Sequence, residues 1–459
     1  MNILINGKAA EVFGNETIIE TARREGCNIP SLCYAKGAKH KSSCMLCSVK
    51  NLVSGQIIPA CSTLPVEGME IETESEEINT IRTLSLELLL SDHRADCDAP
   101  CKIACPGGFD VAAMNRLYDS SAADAALEMM RDTLVIPATL CYICNAPCEK
   151  ICRKKDLNKP VEIREIKKML VATTQLCQIA RPASNGKRAA VVGSNPAGLA
   201  AAYRLAKLGY EVTVFERADA ILTPHIEMDK TPAEIVELEI DVMRQMGVDF
   251  VCSSGKNSFD EYEGLISVID NETFPQAVML TAKTRQPARL TLEGRKLADK
   301  LHASISGEQE PDSHASKIFN SSYSRFSEKE QQTLRAQACN EVRASLCLYC
   351  DCDRKNNCQL RDCATRYGVK NSRYSRETAS QAMQRRQIGE AIGFEPAKCI
   401  RCGLCVYNSS NGFTFKNRGF GMQVALPEGN EKNIGVELAE LCPTGALYLI
   451  KTNQSKQKI

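Results

Sequence analysis

His93-Arg-Ala-Asp-Cys97-Asp-Ala-Pro-Cys101-Lys-Ile-Ala-Cys105-Pro106 sets one imidazole and three thiols at four-residue steps and closes on a proline. Cys33, Cys44, Cys47 and Cys61 precede it, and Cys141, Cys144, Cys148 and Cys152 follow it, with further groups beyond residue 340. Thiols two or three residues apart are poor geometry for mutual disulfides and good geometry for a shared metal. The stretch therefore reads as the junction of two metal-bearing modules. A chain of 459 residues has room for about three domains around it.

Composition narrows the setting. Twenty-four cysteines in a small secreted protein would suggest disulfides, but this chain is large and opens Met1-Asn-Ile-Leu-Ile-Asn-Gly7, like a strand and a turn rather than an export signal. No run of roughly 18 apolar residues appears, and 57 basic residues against 56 acidic ones leave no electrostatic case for nucleic acid or an anionic membrane. The expectation is a cytoplasmic chain without membrane insertion. His40, His225, His302 and His314 show no recognisable partners, and no nucleophile–base pair stands out.

Working back from the junction, Glu77–Asp92 repeats Ile78, Ile81, Leu84, Leu88 and Leu89 at helical intervals. Before it, Ile3–Val12 reads as two strands around Asn6-Gly7, and a helix runs from Thr17 to about Glu25. The four cysteines that follow have the spacing C-x10-C-x2-C-x13-C, unlike the two close pairs of a zinc knuckle. This order resembles the plant-type 2Fe–2S fold, in the variant that opens the large iron–sulfur subunit of complex I and of iron-only hydrogenases. The resemblance covers about residues 1–92 and implies a 2Fe–2S cluster on Cys33, Cys44, Cys47 and Cys61. It also implies that His93, at the end of the helix, ligates a 4Fe–4S cluster. Cys27 falls outside the spacing and is expected to be a small buried hydrophobe.

Beyond His93, Cys97-Asp-Ala-Pro-Cys101-x3-Cys105-Pro106 and Cys141-x2-Cys144-Asn-Ala-Pro-Cys148-x3-Cys152 form two similar halves. They resemble the amino-terminal domain of the glutamate synthase small subunit and dihydropyrimidine dehydrogenase. With His93, eight candidate ligands suffice for the two 4Fe–4S clusters that the resemblance implies. The carboxylate or amide ligand of that family falls on Lys167, which cannot ligate when protonated; Cys141, or less favourably Glu165, is left to replace it. A pair of zinc sites is the structural alternative.

Residues 188–216 read strand, glycine turn, helix and strand, with Gly193, Asn195 and Gly198 at the turn and Glu216 at the end of the second strand. A helix amino terminus there faces a pyrophosphate, and the acidic residue a ribose hydroxyl. Pro196-Ala197 makes the turn resemble the FAD-binding half of the glutamate synthase small subunit. Asn195 replaces a glycine at the closest backbone approach, and no second glycine-rich turn follows. The family's NADPH domain is missing, and retention of FAD stays open.

Residues 304–333, rich in Ser, Glu and Gln, read as a connector. Cys347, Cys350, Cys352, Cys358 and Cys363 then crowd into one segment that fits a 4Fe–4S cluster with one spare thiol, or zinc. Cys399-x2-Cys402-x2-Cys405 and Cys442-Pro443 resemble a bacterial ferredoxin. Its second cluster is lost as a set, the four positions being Ser409, Lys432, Gly435 and Leu438.

The expected fold class is multidomain α+β and α/β. It comprises a β-grasp 2Fe–2S domain (1–75), a helical domain with two 4Fe–4S clusters (76–182) and a truncated Rossmann-like FAD-type domain (183–303). A connector (304–338), a cysteine-rich segment (339–375) and a single-cluster ferredoxin-like module (376–459) complete it. One 2Fe–2S and three to four 4Fe–4S clusters suggest an electron-transfer subunit. Its partners would be a flavin-containing NADH-oxidising subunit and a catalytic subunit (hydrogenase or formate dehydrogenase) or ferredoxin. A self-sufficient FAD-dependent NAD(P)H oxidoreductase and a zinc-rich assembly scaffold are the alternatives.

Overall fold

Asn6 and Gly7 both take positive φ (49° and 76°) and close the turn between β1 (Asn2–Ile5) and β2 (Lys8–Glu11). α1 (Ile18–Arg24) starts at Thr17, whose N–H donates to the Glu20 carboxylate at 2.9 Å in a capping box. β3 (Ser48–Asn51), β4 (Ile57–Pro59) and β5 (Glu70–Glu72) complete a mixed sheet in the order β2-β1-β5-β3-β4. Ile3, Ile5, Ile18, Ile19 and Ile71 form its core. α2 (Glu76–Asp92) follows and ends on His93. Its buried face is Ile78, Arg82 and Leu86, whereas Leu84 and Leu88 of the expected stripe are exposed.

The computed structural model describes residues 1–450 apart from 94–95, 157–158, 174–181, 223–225, 227–229, 256–257, 270–273, 282, 309–346, 353–355, 370–385, 389–390, 411, 428 and 430–433. Among the described residues, 1–97 and 352–450 pack as one unit and 98–308 with 347–351 as another. The second unit is thus inserted in the sequence of the first, between Cys97 and Cys352. In the first unit Cys352 N–H donates to the Cys97 carbonyl at 2.9 Å. The cysteine-rich segment expected as one piece over 339–375 is divided after Asp351.

The inserted unit begins with short helices: α3 (Pro100–Ala104), α4 (Val111–Asp119), α5 (Ala123–Leu134), α6 (Pro137–Ile143), α7 (Pro147–Lys150) and α8 (Ile163–Thr173). The helix-forming run expected over 111–131 is broken at Ser121, which takes φ 61°. Proline opens α3, α6 and α7, where its missing N–H would have no intrahelical partner anyway. In both Ala-Pro-Cys repeats this starts a short helix carrying a cysteine, Cys101 in α3 and Cys148 in α7.

β6 (Arg188–Val192), α9 (Pro196–Lys207), β7 (Glu211–Phe215), α10 (Ala233–Gln245), β8 (Val248–Val251), β9 (Gly264–Ser267), β10 (Val278–Met279) and α11 (Pro287–Ser306) follow. Their strands form a parallel sheet in the order β10-β9-β6-β7-β8. α11 lies on α9 so closely that a Cβ at Gly294 would stand 2.0 Å from the Ala197 carbonyl oxygen.

The first unit resumes with α12 (Gln359–Arg366). β11 (Arg386–Ile388), β12 (Ile392–Phe394), α13 (Leu404–Tyr407), β13 (Thr414–Lys416), β14 (Gln423–Ala425), α14 (Glu437–Leu441) and β15 (Leu447–Leu449) follow. β11, β12 and β15 form an antiparallel sheet over Phe394, Phe413, Leu438 and Leu447, and β13 pairs β14. No helix among the described residues is long and apolar enough to cross a membrane.

Candidate metal centres

The N-terminal set is brought together by the long loop before β3, which carries Cys33, Cys44 and Cys47, and the turn after β4, which carries Cys61. Cys33, Cys44, Cys47 and Cys61 are all at most 2% exposed and free of disulfides. The Cys33 and Cys44 sulfurs lie 3.4 Å apart, and hydrogen bonding from Cys44 and Cys61 holds Cys33 far below the usual thiol range. Leu32 N–H donates to Cys44 and Ser43 N–H to Cys33, each at 3.4 Å, so backbone dipoles already face negative sulfur. Cys27 stands apart, half-buried against the β-sheet core.

Arg82 holds this loop, and sequence reasoning missed it. It is fully buried on α2 and donates to the carbonyls of Leu46 (3.0 Å), Ser48 (3.1 Å) and Thr73 (2.9 Å). It also reaches the Glu74 carboxylate at 3.1 Å and the Tyr367 hydroxyl at 2.9 Å. Leu46 lies between two of the thiols. The available signal was a cation at the middle of an i, i+4 series with Ile78 and Leu86.

In the inserted unit, Lys167 is 6% exposed and faces Cys105, Cys141, Cys144 and Cys148. Burial opposes its charge, yet those thiols leave its pKa raised. Burial pushes Cys141 up to about 11 and Cys148 up to about 12, with Lys167 working in the opposite direction. Glu165 points away, 45% exposed and paired with Lys168 at 3.2 Å, so it has no place among these thiols. α6, which carries Cys141, is capped by a buried carboxylate: Ala138 and Thr139 N–H donate to Glu239 at 2.6 and 3.0 Å. Cys101 and Cys152 pack against the same core, as does Cys347.

Cys350 also belongs to the inserted unit, whereas Cys97, Cys352, Cys358, Cys363, Cys399, Cys402, Cys405 and Cys442 belong to the first. Cys352 and Cys358 are buried, and Cys97 sits beside Cys352 through the backbone hydrogen bond already described. His93 is 5% exposed; burial lowers its pKa to about 4 and Lys398 opposes its protonation, which favours the neutral imidazole, the form that ligates metals. Lys398 and Glu395 form a buried pair at 2.8 Å. Cys399, Cys402, Cys405 and Cys442 line one small apolar pocket with Phe394 and Leu447. Arg401 N–H donates to Cys399 at 3.3 Å and Leu447 N–H to Cys442 at 3.5 Å. Of the lost second ferredoxin set, Leu438 is core, Ser409 accepts from Phe413 N–H at 3.0 Å, and Lys432 lies outside the described residues. Cys363 is raised by burial to about 11.

One apolar cluster in this unit contains Cys33, Cys44 and Cys358 together with Leu86 and Ile400, and Cys402 packs against it. Three sets separated in sequence therefore share a core. Among the described residues no three His, Cys, Asp or Glu side chains converge as on a single ion. The high thiol pKa values mean that cluster assembly would displace protons.

The dinucleotide turn is different. Gly193 (φ 101°) and Gly198 pack so tightly that a Cβ on Gly198 would stand 2.0 Å from the Gly193 oxygen. The Asn195 side chain accepts from Ala197 and Gly198 N–H at 2.9 and 3.1 Å and donates to the Val268 carbonyl at 3.0 Å. It therefore engages the N–H groups that a pyrophosphate would need. Glu216, 6% exposed, accepts from Ser194 N–H and hydroxyl at 2.8 and 2.6 Å and from Arg217 and Ala218 N–H at 2.7 and 3.0 Å. Both side chains of the expected FAD-type turn are thus engaged within the protein. Of the other histidines, His40 meets the Cys61 carbonyl at 3.0 Å and His302 the Tyr210 hydroxyl at 3.1 Å. Both have partners that the sequence did not reveal, while His225 and His314 lie outside the described residues.

Residues 1–76 match the profile of the 2Fe–2S iron–sulfur cluster binding domain, and residues 86–178 that of dihydropyrimidine dehydrogenase domain II, 4Fe–4S cluster. Residues 154–297 match pyridine nucleotide-disulphide oxidoreductase. The chain thus carries stretches similar to three redox domains. Curated relatives include NADPH-Fe(3+) oxidoreductase subunit beta of Geobacter sulfurreducens, 30% identical over 33% of this chain and 24% of the relative. NADP(+)-dependent formate dehydrogenase subunit beta of Moorella thermoacetica is 29% identical over 33% of this chain and 25% of the relative. NAD-dependent dihydropyrimidine dehydrogenase subunit PreT of Salmonella typhimurium is 28% identical over 40% and 45%. The chain thus spans less than half the length of these relatives. The resemblances to 2Fe–2S and glutamate synthase-like proteins expected from cysteine spacing hold at the level of these domains.

Proposed function

We propose that this chain is a cytoplasmic electron-transfer subunit that passes single electrons through one 2Fe–2S and several 4Fe–4S clusters within a multi-subunit oxidoreductase. The carrying observation is the shared apolar core of Cys33, Cys44, Cys358 and Cys402. Centres whose ligands meet in one core exchange electrons with little rearrangement, and N–H donors and burial set their potentials. The β-grasp module would hold the 2Fe–2S cluster on Cys33, Cys44, Cys47 and Cys61. Cys105, Cys141, Cys144 and Cys148 would hold one 4Fe–4S cluster, with Cys141 in place of the ligand lost at Lys167. His93, Cys97, Cys352 and Cys358 would hold another, and the ferredoxin-like module a third on Cys399, Cys402, Cys405 and Cys442. Cys363 is left spare.

The relatives' printed names, each a subunit of an oxidoreductase, support oxidoreductase partners; the partners proposed are a flavin-containing NADH-oxidising subunit, and a catalytic subunit or ferredoxin. The match to pyridine nucleotide-disulphide oxidoreductase favours a second reading, direct FAD-dependent oxidation of NAD(P)H. Asn195 and Glu216 weigh against it. Anaerobic purification followed by iron analysis, flavin extraction and EPR of the reduced protein tests both. Fewer than about eight irons per chain sinks the relay, since one 2Fe–2S and two 4Fe–4S sites already need more. Stoichiometric FAD reduced by NAD(P)H establishes the second reading instead.

A further inference from the structure

Cys347 and Cys350 lie more than 190 residues beyond Cys152 in the sequence, yet they pack with the inserted unit, while Cys352 and Cys358 pack with the other. Three residues of α4 fix the short segment 347–351. Arg116 forms a two-pronged ion pair with Asp351, which is 1% exposed, one prong at 2.9 Å. The Arg116 guanidinium also lies 5.0 Å above the Tyr349 ring, and the Tyr349 hydroxyl donates to Asp119. Asn115 is fully buried, and its amide finds no nitrogen or oxygen partner among the described residues; it bonds the Cys347 sulfur. A buried amide spends an N–H on a sulfur most favourably when that sulfur is a thiolate held by metal.

The backbone of the segment has the shape of a cluster-binding turn found twice elsewhere in this chain. Tyr349 takes φ 46° and its N–H donates to Cys347 at 3.5 Å. Arg401 (φ 58°) does the same to Cys399 at 3.3 Å, and Ala146 (φ 46°) to Cys144 at 3.4 Å. A non-glycine residue in the left-handed region is strained, so its threefold recurrence at the same offset from a cysteine reflects one requirement. The thiols facing this turn are those of Cys101 and Cys152, which pack against the same core as Cys347; the thiols that act most strongly on Cys101 are Cys347 and Cys350, and the one that acts most strongly on Cys347 is Cys152.

We infer that Cys347 and Cys350 complete a 4Fe–4S site with Cys101 and Cys152. The thiols assigned to one local segment by spacing thus serve two units: 347 and 350 close a cluster in the inserted one, and 352 and 358 a cluster in the other. This leaves Cys105, Cys141, Cys144 and Cys148 as a complete separate set around Lys167. The inference rests on the relay reading for the presence of clusters, and adds to it the pairing of ligands.

The test uses the full chain purified anaerobically, with Cys101→Ser, Cys350→Ser, Cys358→Ser and the double variant Cys101→Ser/Cys350→Ser. Each of the first two single variants is expected to lose about four irons and the same EPR component, and the double variant no more than either. Cys358→Ser is expected to lose a different component. If Cys350→Ser and Cys358→Ser lose the same component, or if the double variant loses about eight irons, the pairing is wrong. Should Cys350→Ser not accumulate, Cys347→Ser supplies an oxygen ligand, and the Cys101-dependent component must shift in g-value and potential; an unshifted component overturns the assignment. The relay itself fails on a different measurement, the iron content of the unsubstituted chain.

Discussion

The N-terminal site and the site assigned to Cys347 and Cys350 reach the same chemistry from opposite directions. The first draws its four thiols from one short stretch, residues 33–61, which includes β3 and β4, and locks it with a fully buried guanidinium on α2. The second draws from Cys101, Cys152 and a turn at 347–350, and secures the turn with Arg116, which keeps 38% of its side chain exposed. Loop-closure entropy grows only as the logarithm of chain length, so a distant ligand costs little more than a near one. The difference lies in what must be rigid. A local site needs its loop fixed, whereas a distributed site needs a surface to which a remote turn is pinned.

The largest effect that separates them is expected at the two arginines. Arg82→Ala takes the guanidinium donors from the carbonyls of Leu46, Ser48 and Thr73, a loss of about 3–5 kcal/mol, and the 2Fe–2S EPR signal should disappear with it. Arg82→Lys keeps the charge but not the five-donor fork, and should recover less than half of that. Arg116→Ala is expected to cost about 1–3 kcal/mol and to remove the Cys101-dependent component while leaving the 2Fe–2S signal intact. Thermal melts paired with EPR check all three. Equal losses of both signals in Arg82→Ala and Arg116→Ala would erase the contrast between local and distributed anchoring.

The same contrast explains what could be read in advance. Cys33, Cys44, Cys47 and Cys61 were legible because ligands within one loop leave their geometry in the spacing. The parallel sheet was legible from Val191, Val192 and the Tyr210–Glu216 strand, whose apolar runs carry their own signature. The division after Asp351 was not, because it depends on Arg116 and Asn115 meeting a segment far away in sequence. Arg82 hid for a related reason: hydrophobic periodicity ranks a buried cation as a break in the pattern, and here the cation is the centre of the buried face. Asn195 was seen as a missing glycine, but its use as a cap on α9 appears only once its side chain is placed.

A smaller effect probes how the inserted unit holds Cys141. Glu239 caps α6 from α10, and burial pushes its pKa up to about 7, against hydrogen bonds from Thr139 and Ala138. Because the folded value lies above the ordinary 4.5, the folded state binds the proton more tightly than the unfolded chain does. The resulting stability is fully present below about 4.5 and is lost as pH rises through about 7, by at most about 3 kcal/mol. Glu239→Gln removes this dependence. The advantage of the unsubstituted protein over the variant should therefore shrink between pH 5 and pH 7.5, as read from the difference in thermal midpoints. A gap that widens over that range would mean that the helix N–H groups keep Glu239 ionised and that the helix end, not burial, governs it.

The smallest effect concerns tuning rather than assembly. Lys167 places a buried positive charge among four thiols of one set, with no counterpart among the N-terminal thiols, whose sulfurs receive backbone N–H groups instead. A cluster gains one negative charge on reduction, and a nearby cation favours that state. Lys167→Met should therefore lower the midpoint potential of one 4Fe–4S component, by on the order of 100 mV for a unit charge at about 7 Å in an effective dielectric of about 20. Iron content should stay constant, which distinguishes tuning from ligation. Loss of about four irons would instead make Lys167 part of what holds the cluster. An EPR-monitored redox titration reads the shift, with the 2Fe–2S component as internal reference. A cation in place of a ligand thus gives the distributed set a control over potential that backbone donors alone cannot match, since an N–H dipole acts more weakly than a full charge at the same separation.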